Sequence, residues 1–422
     1  MDFTEYAQQL ATILGDCGLL SHIPVELPWD WPPPLAIVAP PNIDALAATV
    51  ARCAQRGAAL VAVGGGTDLA TGAPPSRPYV IVLLSSMNRV LEYEPDEMVV
   101  VCEAGATLDI VQQLLAAHNQ RLPLKLPHPA VSTLGGIVST NRAGMLRASF
   151  GAPRDLLIGL TAVMSGGTVI KGGGKVVKNV AGYDLCKLFA GAFGTLGILA
   201  GVNFKTTVLT DEAITAIWRA PSLGSALTAG LNLHLSRLFT AGFSVTNDFN
   251  GHGPTLAAYL QGLGERISWQ RQAIEDILRP LGFQPGEVAT NEQDDYLLNS
   301  TSPAKRTGLL WTAHCSVLPT DLPALAVRIT AKCSDICITV LPGTGEMFLT
   351  AEDGTDFWPW QLLDFLPTEG NVRFTYVSSL VIELGQFSRW GKVRPEAKLH
   401  RALKDRLDPE NCFSPGRFID GI

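Results

Sequence analysis

Apolar residues at Ile43, Leu46, Ala47, Val50 and Ala54 recur at helical spacing, with Pro40–Pro41 before them and Gly57 after them. That periodicity and its punctuation predict a helix over Ile43–Gln55. Short apolar runs at Ala59–Val63, Tyr79–Leu84 and Met98–Cys102 have the length and composition of strands. Helical spacing returns over Thr107–His118, where Thr107 and Asp109 suit the N-terminal end. The stretch Leu27–Pro34 (LPWDWPPP) holds four prolines in eight positions and can be neither helix nor central strand. It is expected to separate a short N-terminal helical segment from the main body. Short strands alternating with amphipathic helices predict an α+β fold. From about Thr207–Asp211 to Lys392 the glycine-rich motifs thin out into mixed strands and helices, as a second domain would. No internal repeat is evident.

Bulk properties narrow the function classes. The 422 residues are 47% hydrophobic and 17% charged, with 41 Gly and 28 Pro, enough for two buried cores joined by many turns. The net charge of -7 disfavours a nucleic-acid partner, which demands a concentrated basic face. The acidic start, MDFTEYAQQLATILGDC, does not read as a secretory signal. Leu188–Phe204 is uncharged but short of a membrane span, and is interrupted by Gly191, Gly194, Gly197 and Gly201. The eight cysteines are scattered; Cys333 and Cys337 are the one close pair, in a Val/Ile/Thr-rich run expected to be a strand. Neither they nor the seven histidines have iron–sulfur or metal-ligand spacing, so no metal is expected, and the thiols fit a reducing cytoplasm.

Three segments carry candidate chemistry. Val63-Gly64-Gly65-Gly66-Thr67-Asp68-Leu69 follows an apolar strand; its glycines let backbone N–H groups converge on a phosphate, and Thr67 adds a hydroxyl. It is neither a dinucleotide fingerprint, since Leu69 stands where a third Gly is needed, nor a Walker loop. Alone, it is equally a structural turn. Pro129–Gly144 offers Ser132, Thr133, Leu134, Gly135, Gly136, Ser139, Thr140 and Asn141, a run of short polar side chains around a glycine pair. Lys178–Ile198 ends in Gly194-Thr195-Leu196-Gly197-Ile198, suited to a chain passing tightly against a flat ligand before the strand Ile198–Phe204.

Taken together, the phrases GGGTDL, STLGGIVSTN, FGAPRDLLIGL, KNVAGYDLCKLFAGAFGTLGI and DPENCFSPGRF resemble the vanillyl-alcohol-oxidase/PCMH family of FAD-binding flavoproteins. Within it they are most similar to the small FAD-binding subunits of glycolate dehydrogenases. The resemblance covers residues 35–208 and the last 25 or so. It implies a two-lobed α+β architecture: an N-terminal segment over 1–34, a PCMH-type FAD-binding domain over 35–208, a smaller α+β cap (substrate) domain over 209–392, and a C-terminal segment over 393–422 returning to the first domain. It further implies that Gly64–Asp68 hold the pyrophosphate. Thr133–Gly136 and Ser139–Asn141 would follow the pyrophosphate and ribityl chain, and Gly197 and Ile198 would meet the flavin–adenine end through main-chain groups. Arg154-Asp155 is expected to brace the fold.

The sequence also departs from the family. Thr67 stands where covalent members attach flavin to a histidine, so the FAD is expected to be non-covalent. Phe193 replaces a common glutamate. The histidine-rich phrase of hydroxy-acid dehydrogenases is missing from Leu341–Phe348, leaving Glu346, His314 and Arg389 as catalytic candidates for a reaction that needs a base and a carboxylate-binding cation. The resemblance implies a small hydroxy-acid substrate, a larger FAD-containing glycolate dehydrogenase subunit and an iron–sulfur subunit as partners, and a cytoplasmic location, peripheral to the membrane at most through those partners. A self-sufficient FAD-dependent hydroxy-acid or sugar-alcohol dehydrogenase or oxidase, and a flavin-free scaffold, are the alternatives.

Overall fold

The computed structural model describes residues 3–175, 182–236, 238, 241–247, 253–290, 309–366, 370–378, 381–382, 387–392 and 395–422. Two main sheets form the first lobe, beside the short antiparallel pair β7 (Gln120–Arg121) and β11 (Thr207–Val208). The smaller has the order β1 (Leu19–Leu20), β2 (Ala36–Val38), β4 (Tyr79–Leu83), β3 (Ala59–Val63), with β2, β4 and β3 parallel. The larger is antiparallel, in the order β5 (Val90–Glu94), β6 (Val99–Glu103), β10 (Ile198–Lys205), β8 (Leu157–Val163), β9 (Val169–Gly173). The helix Ile43–Gln55 has the bounds that its periodicity predicts, and the Asn42 side chain caps it by accepting from Ala45 N. Thr107 likewise caps Leu108–Ala116.

One apolar core joins these sheets and helices, running from Leu46 and Val50 through Val82 and Val100 to Val202 and Phe204. The described residues before Leu35 do not stand apart from it. Leu10, Leu14 and Cys17 are buried in the same core. The Pro-rich stretch lies on the other face of the small sheet: Trp31 packs edge-on against Tyr79, whose hydroxyl donates to Pro32 O at 2.7 Å. The C-terminal segment also belongs here, because Leu60 on β3 donates to Cys412 O and accepts from Ser414 N. The edge of the small sheet is thereby paired.

The second lobe is one antiparallel sheet of eight strands in the order β15 (Gln284–Thr290), β12 (Glu212–Arg219), β14 (Thr255–Gly262), β13 (Gly242–Thr246), β17 (Cys337–Leu341), β18 (Glu346–Glu352), β16 (Leu309–Ser316), β19 (Asn371–Val377). It divides into two βαββαβ units. The first is β12 (Glu212–Arg219), helix Leu223–Leu235, β13 (Gly242–Thr246), β14 (Thr255–Gly262), helix Gly264–Leu278 and β15 (Gln284–Thr290). The second is β16 (Leu309–Ser316), helix Leu322–Lys332, β17 (Cys337–Leu341), β18 (Glu346–Glu352), helix Pro359–Phe365 and β19 (Asn371–Val377). Each has the ferredoxin-like strand order. They join through β13 and β17, where Val245 pairs with Val340 and Thr246 with Thr339. This is a repeat of form that the sequence does not display.

Alternate residues of the sheet point to helices on one face (Trp218, Trp311, Met347, Phe374) and to the first lobe on the other. There Tyr259, Leu341 and Phe348 pack on Met145, Leu146 and Phe150. Cys333 closes the helix Leu322–Lys332 rather than lying in a strand, so only Cys337 belongs to β17. Leu188–Phe204 is divided between the short helix Leu185–Phe189 and β10, and among the described residues no helix is long and apolar enough to cross a membrane.

Candidate cofactor and active site

The strand β3 ends at Val63, and the chain turns through Gly64, Gly65 and Gly66 into a cleft between the two sheets of the first lobe. The turn is packed against the second polar segment. A Cβ on Gly65 would sit 1.7 Å from Val131 O, and one on Gly64 would sit 1.9 Å from Thr133 Oγ1. Gly66 takes φ +78°, which a side chain would strain. Among the described residues, the backbone N–H groups of Gly64, Gly65, Gly66, Thr67 and Asp68 have no intramolecular acceptor. Consecutive free N–H groups around a concave turn form an anion-binding nest.

The second segment contributes differently. Its glycine pair opens the helix Leu134–Thr140, but the amides of Leu134 and Gly135 donate to Ala106 O and Ala104 O, both at 2.8 Å. The close approach at Gly135 is therefore to Ala104, whose Cβ lies 2.8 Å from where a Gly135 side chain would begin. The amides of Leu134 and Gly135 are thus spent within the protein, while Thr133, Ser139 and Thr140 line the cleft.

All the residues with an expected cofactor role line the cleft except Leu134, Asn141 and Ile198. Leu134 and Ile198 turn their side chains into the core. Asn141 ends the short helix with φ +52° and faces a neighbouring cavity, its Oδ1 accepting from Arg154 N at 3.0 Å. Gly197 closes the far end of the cleft beside Leu199. Asp155 accepts from Ala152 N and pairs with Lys187 at 3.3 Å, away from the cleft. Of the third motif, residues 178–181 lie outside the described residues.

Arginines that the sequence reading passed over fix the loop. Arg417, in the terminal FSPGRF phrase, is buried and donates to Leu69 O at 2.7 Å and Thr71 O at 3.0 Å. Its guanidinium lies 4.3 Å above the Trp31 ring. Burial pulls its pKa down to about 10. Arg142, one residue past the STN phrase, pairs with Asp68 at 2.8 Å.

The three catalytic candidates fall in different places. Arg389 is held by Asp30 Oδ2 at 2.6 Å and Gly72 O at 3.0 Å, beside a cavity of about 780 Å³ under the N-terminal segment. His314 and Glu346 meet in another cavity of about 410 Å³, beneath the cap sheet. His314 Nε2 lies 3.1 Å from Glu346 Oε1, and the ring stacks on Phe348. Arg147 Nη1 donates to Glu346 Oε1 at 2.7 Å across the lobes, and Thr344 Oγ1 donates to Oε2 at 3.1 Å. Arg373 stands directly opposite His314 on β19 and reaches down to Thr140 O. Phe193, with φ +52°, sits under Arg373 and lines both this cavity and the glycine-rich cleft.

Burial pushes the His314 pKa down, and Arg373 adds to the effect, so the neutral, proton-accepting ring is favoured. Burial alone would raise the Glu346 carboxyl; His314, Arg147 and Thr344 outweigh it and hold the pKa at about 2 against an ordinary 4.5. A carboxyl depressed on folding stabilises the native state above its unfolded pKa and loses that contribution as pH falls toward the folded one. Between pH 5.5 and pH 2 the protein should lose about 3 kcal/mol of unfolding free energy that Glu346→Gln does not lose. Urea unfolding at the two pH values checks this, and equal losses in both proteins would refute it.

Parallel strands beside a five-stranded antiparallel sheet, with a free-amide turn between them and an antiparallel cap above, define a PCMH-type FAD-binding fold. Residues 34–173 match the family model described as an FAD binding domain. The p-cresol methylhydroxylase structure superposes with a TM-score of 0.70 at 18% identity, covering 98% of this chain and 96% of that one. Alkyldihydroxyacetonephosphate synthase gives 0.64 at 16% identity, covering 90% and 76%. Glycolate oxidase subunit GlcD of Bacillus subtilis is 35% identical over 176 residues, 41% of this chain and 37% of that protein. Glycolate oxidase subunit GlcE of Escherichia coli is 36% identical over 207 residues, 47% and 59%. D-lactate dehydrogenase of Archaeoglobus fulgidus is 31% identical over 171 residues, 40% and 38%. The chain thus aligns with between about a third and three fifths of the length of these relatives.

Proposed function

We propose that this protein is the FAD-bearing subunit of a multi-subunit 2-hydroxy-acid dehydrogenase that oxidises glycolate to glyoxylate and passes the electrons to a partner. The observation that carries the flavin reading is the row of five N–H groups at Gly64–Asp68 without an acceptor among the described residues, in a turn packed against the Val131 carbonyl and the Thr133 side chain. Such a cradle fits a pyrophosphate. Thr133, Ser139 and Thr140 would follow the chain of the cofactor from the opposite wall, with Gly197 at its end. Thr67 leaves the first loop without a nucleophile for covalent attachment, so the flavin is dissociable. Bound there, FAD supplies a two-electron acceptor for an alcohol. Similarity to two differently named subunits of glycolate oxidase supports the subunit role. The partners would be a larger FAD-containing subunit and an iron–sulfur subunit, since no group of histidine, cysteine, aspartate or glutamate among the described residues could hold a metal.

A self-sufficient dehydrogenase is favoured by one observation: neutral His314 and Arg373 face the same cavity. The neutral imidazole could take a hydroxyl proton while the guanidinium holds a carboxylate. Expression of the chain alone and with its partner subunits separates the two readings. The subunit reading expects the lone chain to bind FAD, release all of it into acid supernatant, and turn over glycolate with an artificial acceptor at less than about a tenth of the assembly's rate. Equal rates, abolished by His314→Asn, would replace it with the second reading.

A further inference from the structure

The cradle at Gly64–Asp68 contains an electrostatic contradiction. Its free amides favour an anion, yet its last member is an aspartate, which also lines the cleft. A carboxylate beside a diphosphate repels it, and the repulsion persists where water is sparse. Asp68 is only 21% exposed, and its Oδ1 is met at 2.8 Å by Arg142 Nη1, which is 14% exposed. Arg142 comes from the opposite wall, just past the helix Leu134–Thr140, and does not itself line the cleft. Its backbone N–H is tied to Ile137 O at 3.3 Å, so the side chain leaves from a fixed base. Arg373, above, also feels Asp68, but its hydrogen bond runs to Thr140 O.

We infer that Arg142 is a positioning residue for the FAD site: it cancels the charge of Asp68 and holds that carboxylate away from the diphosphate, without touching the cofactor. The inference rests on the diphosphate lying in this cradle. The pair also ties the first loop to the second, so the cradle takes its binding shape only when both walls are in place.

The test is fluorescence titration of the full-length apoprotein with FAD. Arg142→Met should weaken binding about 10–100-fold, Arg142→Lys should retain most of it, and Asp68→Asn should bind as well as the unaltered protein or better. The decisive variant is Arg142→Met with Asp68→Asn, which should return to within about 3-fold of the unaltered protein. If the double variant binds no better than Arg142→Met, Arg142 contacts the cofactor or serves only the fold, and the inference falls. A neutral Arg142→Met would also overturn it. Thermal melts of each apoprotein show whether a weak binder is also an unfolded one, and the double variant remains diagnostic in that case. Gly65→Val is the separate control: if it binds FAD normally, the cradle itself is misassigned.

Discussion

Replacing Lys404 with methionine should lower the unfolding free energy by about 3–5 kcal/mol, the cost of stranding the charge left behind in a buried pair. The Lys404 side chain is 1% exposed and Asp408 is fully buried. The ammonium has three protons and spends all of them: on Asp408 Oδ2 at 2.6 Å, Phe413 O at 2.7 Å and Thr195 O at 2.8 Å. Asp408 in turn accepts from the amides of Cys412 and Phe413. Burial pulls the lysine pKa down, and Asp408 works against that pull. One side chain therefore knots the helix Ala397–Leu407, the terminal segment and the loop before Gly197. Methionine keeps the stem and removes every bond. Urea denaturation reads the loss, and a change below about 1 kcal/mol would show that the knot is dispensable.

Gly65→Val should reduce FAD affinity by at least 100-fold. No rotamer relieves a contact of 1.7 Å with the Val131 carbonyl, because the clashing atom is Cβ itself. The loop must move away, and a displacement of an ångström breaks charge-assisted bonds worth about 1.5–3 kcal/mol each. Losing two of them already reaches about 3 kcal/mol, or some 100-fold. Gly57→Ala, at a glycine with open space around it but φ +67°, should leave the affinity unchanged and cost only backbone strain. Flavin content of the purified variants checks both, and full occupancy in Gly65→Val would refute the cradle.

The first lobe was largely legible because its signals are local. Asn42 and Gly57 bracket the helix Ile43–Gln55, and glycines mark the turn after Val63. The same locality made the glycine loops recognisable as phosphate-type turns. The structure adds a reason for the glycines that no local pattern shows: at 65 and 135 the neighbour that excludes a Cβ is the Val131 carbonyl or Ala104. The cap was opaque because both faces of its sheet are covered. β13 and β17 are buried at every position, so no alternation announces which residues face which side. His314, Glu346 and Arg373 lie on three strands brought together only by register, and Arg147 joins them across 199 residues. Arg389 looked equally catalytic, but Asp30 claims it. Pairings at that separation leave no trace in a single chain's local pattern.

The tie between Arg417 and the carbonyls of Leu69 and Thr71 has a bearing on biogenesis. It spans up to 348 residues, all of which the ribosome adds between the glycine loop and the arginine that fixes it. At about 5–20 residues per second that interval is roughly 20–70 s. Throughout it the nascent first lobe has an open sheet edge at Leu60 and an unanchored glycine turn. Cofactor loading is therefore expected to follow synthesis of Arg417, and a ribosome stalled inside the cap should hold a lobe whose sheets are synthesised but which retains flavin poorly.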